Sequence, residues 1–162
     1  MTLAEIIQNA YLPALAIIGV KDSPQAQVQS LATGLQESRF TARRQMGMGP
    51  AMGFWQFERG GGVKGVLNHA TSKAKALTLC QARGVEATPM GVWLALENDD
   101  VLAAGFCRLL LLTDPRPLPA VTDTEGGWAC YLRNWRPGKP HPETCPRFHQ
   151  QAQEFVNDQH DQ

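Results

Sequence analysis

The run from Val101 to Leu112 constrains this chain more than any other stretch. Asp99-Asp100 precedes it as a natural helix cap, and the segment is then hydrophobic on nearly every side. A helix without a polar face has to be wrapped by other elements. It is too short to cross a bilayer, so it reads as the central helix of a core. The rest of the 162 residues must supply the shell around it, and that length suits one domain.

The shell is predicted to be mostly helical. Leu3, Ile6, Ile7, Ala10 and Tyr11 recur at helical spacing, which predicts a first helix from about Thr2 to Ile18. Asp22-Ser23-Pro24 joins an N-cap to a first-turn proline, and Val28, Leu31, Ala32 and Leu35 carry one apolar face up to Glu37. From Phe40 to Phe57 the helical period fails and Gly49-Pro50 marks a turn, so a short irregular hairpin is expected. Gly60-Gly61-Gly62 is a loop before a short helix around Val63 to His69. Thr71 is expected to cap a helix that stops before Gly84. Thr88-Pro89 begins another, with Val92, Trp93, Ala95 and Leu96 facing inward.

Beyond the central helix, the proline-rich stretch from Asp114 to Thr122 predicts a rigid extended crossing. Thr124 starts a helix through Trp128, Tyr131 and Trp135 that Pro137-Gly138 stops. Thr144-Cys145-Pro146 opens a last helix, which is expected to fray after about residue 157. There are no internal repeats and no linker long enough to separate two domains. The expected fold is a mainly α single domain spanning 1–162 with one small β-hairpin.

Lysine plus arginine balances aspartate plus glutamate at 15 each, so nucleic acid is not an expected partner. The apolar N-terminal stretch carries Glu5, Gln8 and Asn9, has no basic start and is interrupted by Pro13. It reads as an amphipathic core helix, with neither an export signal nor a membrane insertion expected. The chain is therefore expected to be made and kept in the cytoplasm. Cys80, Cys107, Cys130 and Cys145 form no CxxC pair. The first two read as buried thiols, and a cytoplasmic setting argues against a Cys130–Cys145 bridge.

Glu37 is the leading candidate for chemistry. It falls at the predicted end of a helix, where the helix dipole does not favour a carboxylate. The aromatic block Gly53-Phe54-Trp55-Gln56-Phe57 follows soon after. Such surroundings would hold the acid protonated near neutral pH, as a proton donor to a glycosidic oxygen must be. Between Ser38 and Phe57 there is no other carboxylate; Glu58 is the first, and Asp99, Asp100 and Asp123 are distant in sequence. One acid suffices where the substrate's own N-acetyl group assists. Gln56 has an amide able to donate to and accept from sugar hydroxyl or acetamido groups. The rings of Phe54, Trp55 and Phe57 either pack on sugar faces or fill the hairpin core, and Trp135 is open to the same two readings.

These residues resemble a known family. Gln36-Glu37-Ser38-Arg39-Phe40, then Gly53-Phe54-Trp55-Gln56-Phe57-Glu58, then Trp135-Arg136-Pro137-Gly138-Lys139-Pro140 are similar to the lysozyme-like superfamily. The likeness is to its goose-type and lytic-transglycosylase side, and most of all to small single-domain phage endolysins. It covers roughly residues 31–140. The segment from Tyr131 to Gly138 matches in position the tyrosine motif of that family, without its usual Tyr-Asn-Ala-Gly form. The resemblance implies that Glu37 is the acid/base, that Ser38 and Gln56 line the cleft, and that Tyr131 lies near the acid. Trp55 and Trp135 complete the expected substrate-binding set.

The implied activity is cleavage of the β-1,4 bond between N-acetylmuramic acid and N-acetylglucosamine in peptidoglycan. Water as nucleophile makes a muramidase; the muramic acid 6-hydroxyl makes a lytic transglycosylase. Neither route uses a metal or cofactor, and the enzyme is expected to act as a monomer on glycan strands. It would wait in the host cytoplasm and reach the periplasm and wall after release. Arg39, Arg43 and Arg44, and Arg133, Arg136 and Lys139, are either solvated surface charge or contacts to anionic groups of that polymer. The alternative is a virion protein that keeps the fold for glycan binding with little activity.

Other motifs are read structurally. Gly60-Gly61-Gly62-Val63-Lys64-Gly65 matches GxGxxG, but no strand–helix–strand unit surrounds it, so a turn is expected. His141, Cys145 and His149 are spaced by four, yet Pro142 and Pro146 interrupt them, and a polar loop entering the last helix is preferred over a zinc site. His69 is expected to be a core or loop histidine.

Overall fold

The computed structural model describes residues 1–162, apart from the side chain of Met46. The central apolar segment is helix α7, Asp100–Thr113, and Asp99 caps it by accepting from Leu102 N. Its buried residues run from Leu102 through Leu111 on all sides. Around it, in chain order, lie α1 (Leu3–Ile6), α2 (Leu12–Ile18), α3 (Pro24–Ser38), α4 (Lys64–Asn68), α5 (Lys73–Arg83), α6 (Pro89–Ala95), α8 (Thr124–Trp135) and α9 (Cys145–His160). The architecture is mainly helical, with one two-stranded antiparallel sheet.

The expected first helix is one continuous rod, α1 and α2 joined by a π-helical turn over Ile7–Tyr11. Thr2 and Glu5 close a reciprocal capping box at its start. Pro13 has no N–H to offer the preceding turn, and the π turn shifts the hydrogen-bond ladder just before it, with Leu12 N bonded to Ile7 O. No described helix is long and apolar enough to cross a membrane.

Helix α3 starts as expected, with Ser23 accepting from Ala26 N and Pro24 in the first turn. It is buried on more sides than its single apolar stripe predicts. Gln27, Gln29, Ser30 and Thr33 are buried along with Val28, Leu31 and Leu35. Several elements close over it: α9 packs along α3, Trp55 of the hairpin reaches Ser30 O, and Gln27 meets Asp22. Gln29 is satisfied by donating to Gly127 O of α8 (3.0 Å).

The hairpin pairs β1, Ala51–Met52, with β2, Phe57–Glu58, in the register Ala51↔Glu58 and Met52↔Phe57. A π turn over Arg59–Val63 then leads into α4, so the triple glycine is a sharp connection. Helix α5 begins later than expected. Lys73 is its first residue, Ser72 stands at the cap position, and the Ser72 hydroxyl donates back to Val66 O (2.6 Å). Gly84 ends it in the left-handed region at φ 66°, as glycine permits. In α6, Val92 and the following Leu96 are fully buried, whereas Trp93 is half-buried with its indole N–H on Pro50 O (2.8 Å). The last helix extends to His160, and Val156 near its end is fully buried. Among the described residues all four cysteines are free thiols.

Candidate active site

A groove of about 1220 Å³ opens between the C-terminal end of α3, the hairpin, the glycine turn and α8. That is larger than the usual pocket for one small ligand, roughly 300–1,000 Å³, and has the room a polymer segment needs. Glu37 lies in it, one residue from the end of α3. The helix stops there because Arg39 turns into the left-handed region at φ 54°, and Phe40 follows at φ 55°. Two such bulky residues in succession cost on the order of 1–2 kcal/mol each and need their surroundings to hold them.

Two features hold them. Ser38 Oγ donates to Phe54 O (2.6 Å) and accepts from Phe40 N (3.1 Å), tying the helix end to the hairpin. Gly34, one turn earlier, leaves the space that the Phe40 ring fills; a Cβ there would sit within the ring. Phe40 then packs edge-on against both Phe54 and Trp55.

Tyr131 of α8 donates its phenol O–H to Glu37 Oε1 at 2.7 Å. Burial pushes the Glu37 carboxyl up to about 7; the Tyr131 bond pulls the other way, and the negative charge of Glu58 adds to the rise. Burial and the neighbouring carboxylate also push the Tyr131 phenol well above its usual range, so it stays a donor. Trp135, one turn along the same face of α8, stacks near Tyr131 and meets Phe57 edge-on. Its indole N–H donates to Trp55 O (2.9 Å).

The groove thus gathers Glu37, Ser38, Gln56, Tyr131 and Trp135 from segments up to nearly a hundred residues apart. Gln56 sits in the left-handed region at φ 52°, with its amide nitrogen donating to Gly53 O (2.9 Å). Trp55 does not belong with them. It is 0 % exposed, and its indole N–H donates to Ser30 O inside α3 (2.8 Å). The ring is a wedge between hairpin and helix with no face for a sugar, and Phe54 and Phe57 are buried beside it. Within the turn from Gly53 to Gln56, the left-handed Gln56 alone is partly exposed.

The distant acids do not fold back to the groove. Asp99 caps α7 and pairs with Arg83, Asp100 is gripped by Arg43 through two 2.9 Å bonds, and Asp123 caps α8. Among the described residues, Glu37 and Glu58 are the two carboxylates lining the groove. Sequence reasoning noted Glu58 only as the first acid after the aromatic block. His69, expected in the core or a loop, is a loop residue on the groove wall, with Nδ1 accepting from Thr71 N (3.1 Å). Gly60, Gly61 and Gly62, set aside as a turn, line the groove with bare backbone.

The basic clusters divide. Arg43 and Arg44 are engaged by Asp100 and Glu97, and Arg133 by Asp114. Arg44 and Arg133 line the groove while paired, together with Arg39, Arg136 and Lys139. His141 and His149 are kept apart: the first faces Glu143, and the second is buried on Val121 O (2.8 Å). No group of three or more His, Cys, Asp or Glu gathers for a metal among the described residues.

Compared with known proteins, the chain matches no protein-family model, no curated protein and no solved structure.

Proposed function

We propose that this chain is a lysozyme-like enzyme that cleaves the N-acetylmuramic acid to N-acetylglucosamine β-1,4 bond of peptidoglycan glycan strands, with Glu37 as general acid/base. The observation that carries the reading is the Glu37 carboxyl, raised to about 7, on a groove wide enough for a glycan strand. A carboxyl raised towards neutrality can hold a proton for the leaving oxygen at working pH. Tyr131 occupies Oε1, which leaves the acid proton on Oε2 for the leaving oxygen. Gln56 and the half-buried Trp135 offer an amide and an aromatic edge to the sugar. Arg136 and Lys139 suit the anionic groups of that polymer. The biological setting that fits is a phage endolysin, stored in the host cytoplasm and acting on the wall once the inner membrane is breached.

The test is mass spectrometry of products from purified peptidoglycan, with wild type and Glu37→Gln in parallel. Soluble muropeptides from wild type alone support the reading. A folded wild type that releases none overturns it.

A further inference from the structure

One helical turn away from the Glu37–Tyr131 bond, the same two helices meet α9 at a second polar junction. Thr33 stands four residues before Glu37 on α3, and Gly127 stands four before Tyr131 on α8. His149 of α9 lines the same small pocket as both. We propose that this junction binds one ordered water molecule through Thr33 Oγ1, Gln29 Oε1 and His149 Nδ1, and that the water positions α8 so that Tyr131 meets Glu37. The water site stands on its own; its positioning role rests on Glu37 being the acid.

Three observations carry it. The first is room. The three helices enclose a pocket of about 20 Å³, and a single water needs roughly 10–15 Å³. The second is a pair of acceptors that converge. A Cβ on Gly127 would stand 3.0 Å from His149 Nδ1 and 3.3 Å from Gln29 Oε1, so both atoms turn toward the same bare backbone. His149 Nε2 donates to Val121 O, which leaves Nδ1 of the neutral ring as an acceptor. Gln29 Nε2 donates to Gly127 O, which leaves Oε1 as an acceptor. Two acceptors brought together call for a molecule with two donors, and water has two.

The third is the Thr33 hydroxyl. Thr33 is 1 % exposed, and its Oγ1 has no hydrogen-bond partner in the protein. A buried hydroxyl left unbonded costs stability. Donated to the water oxygen, it gives that water a third bond, about the number buried waters make. Tyr131 lines this pocket as well as the groove. A water bridging α3, α8 and α9 at that level therefore restrains the helix that carries the phenol to the acid.

Thr33→Val keeps the shape of the side chain and removes its hydroxyl, so the sign of its effect is decisive. With the water bound, the variant leaves it one bond short, and Tm should fall by about 2–4 °C, the usual shift for one lost hydrogen bond in a chain of this size. Without it, the variant replaces an unbonded hydroxyl by a methyl, and Tm should rise. A high-resolution crystal structure of the wild type should show the water within hydrogen-bond reach of all three atoms. On peptidoglycan, kcat of the folded Thr33→Val variant should fall several-fold with KM unchanged, and Thr33→Ser should recover it. A rise in Tm for Thr33→Val, or a crystal structure with no ordered water there, overturns the site. A Thr33→Val enzyme with wild-type kcat overturns the positioning role. If wild type cuts nothing, the positioning role falls with the Glu37 reading, and the crystal structure and the Tm shift still decide the water.

Discussion

Tyr131 Oη stands 2.7 Å from Glu37 Oε1, joining the C-terminal end of α3 to α8 through two residues 94 apart in sequence. The phenol offers its proton to the carboxylate form, so it limits how far burial raises the acid. On the proposed reading, the pair sets the pH range in which Glu37 donates its proton.

Replacing Glu37 by Gln keeps the size and removes the titration. Activity on peptidoglycan should fall by on the order of 10²–10⁴, the usual span for a lost general acid. The fold should persist, seen as unchanged circular dichroism.

Tyr131→Phe removes the bond that favours ionised Glu37. Glu37 then keeps its proton to higher pH, and the alkaline limb of kcat/KM should move upward. An alkaline limb that stays in place or moves down would show that Tyr131 does not tune the acid. The ring stays to pack against Trp135 and Trp128, so the loss of stability should be about 1 kcal/mol.

What was legible in the sequence follows from local rules. Ser23-Pro24, Thr88-Pro89 and Asp99 mark helix starts because their chemistry acts within one turn, and all three cap as expected. The unbroken apolar run of α7 could only be central. The position of Glu37 at a helix end was readable for the same reason. Contacts between distant segments were not. Nothing local says that α8, α9 and the hairpin bury polar residues of α3, or that Asp100 answers Arg43 and is therefore unavailable to the groove. The two tryptophans show the limit most clearly. Trp55 and Trp135 look alike as candidates, yet one indole N–H points into α3 and the other reaches back to the Trp55 carbonyl. Only the packing of hairpin on helix separates them.

That separation is testable. Trp55→Phe leaves Ser30 O without its partner and removes ring volume from a fully buried site. It should cost about 2–4 kcal/mol by chemical denaturation, with KM of the remaining folded enzyme close to wild type. Gln56→Ala should do the reverse, raising KM while Tm changes little, because its side chain makes one bond within its own turn.

Ser38→Ala is expected to harm both fold and rate. It strips one hydroxyl from the Phe54 carbonyl and from the Phe40 N–H, and it releases the left-handed turn that follows Glu37. The cost should be about 1–3 kcal/mol, and kcat should drop with it because the acid loses its anchored neighbour. Ser38→Thr keeps the hydroxyl and should retain most of both.

The raised Glu37 carboxyl also makes stability depend on pH in a stated direction. In the unfolded chain the group ionises near 4.5, and in the folded chain near 7. Below 4.5 both states are protonated and the full contribution is present. Between these values the unfolded chain alone releases the proton, so folding weakens as pH rises, and the loss is complete once pH has passed the folded value. The total is at most about 3 kcal/mol, reduced by the partial exposure of the group. Glu37→Gln has no such titration. Measured by urea unfolding, the variant should gain on wild type between pH 5 and pH 8 and stay ahead above it, on the order of 1–3 kcal/mol. Parallel stability curves for the two proteins would mean that Glu37 is not held protonated by the fold, and the assignment of the acid would lose its physical basis.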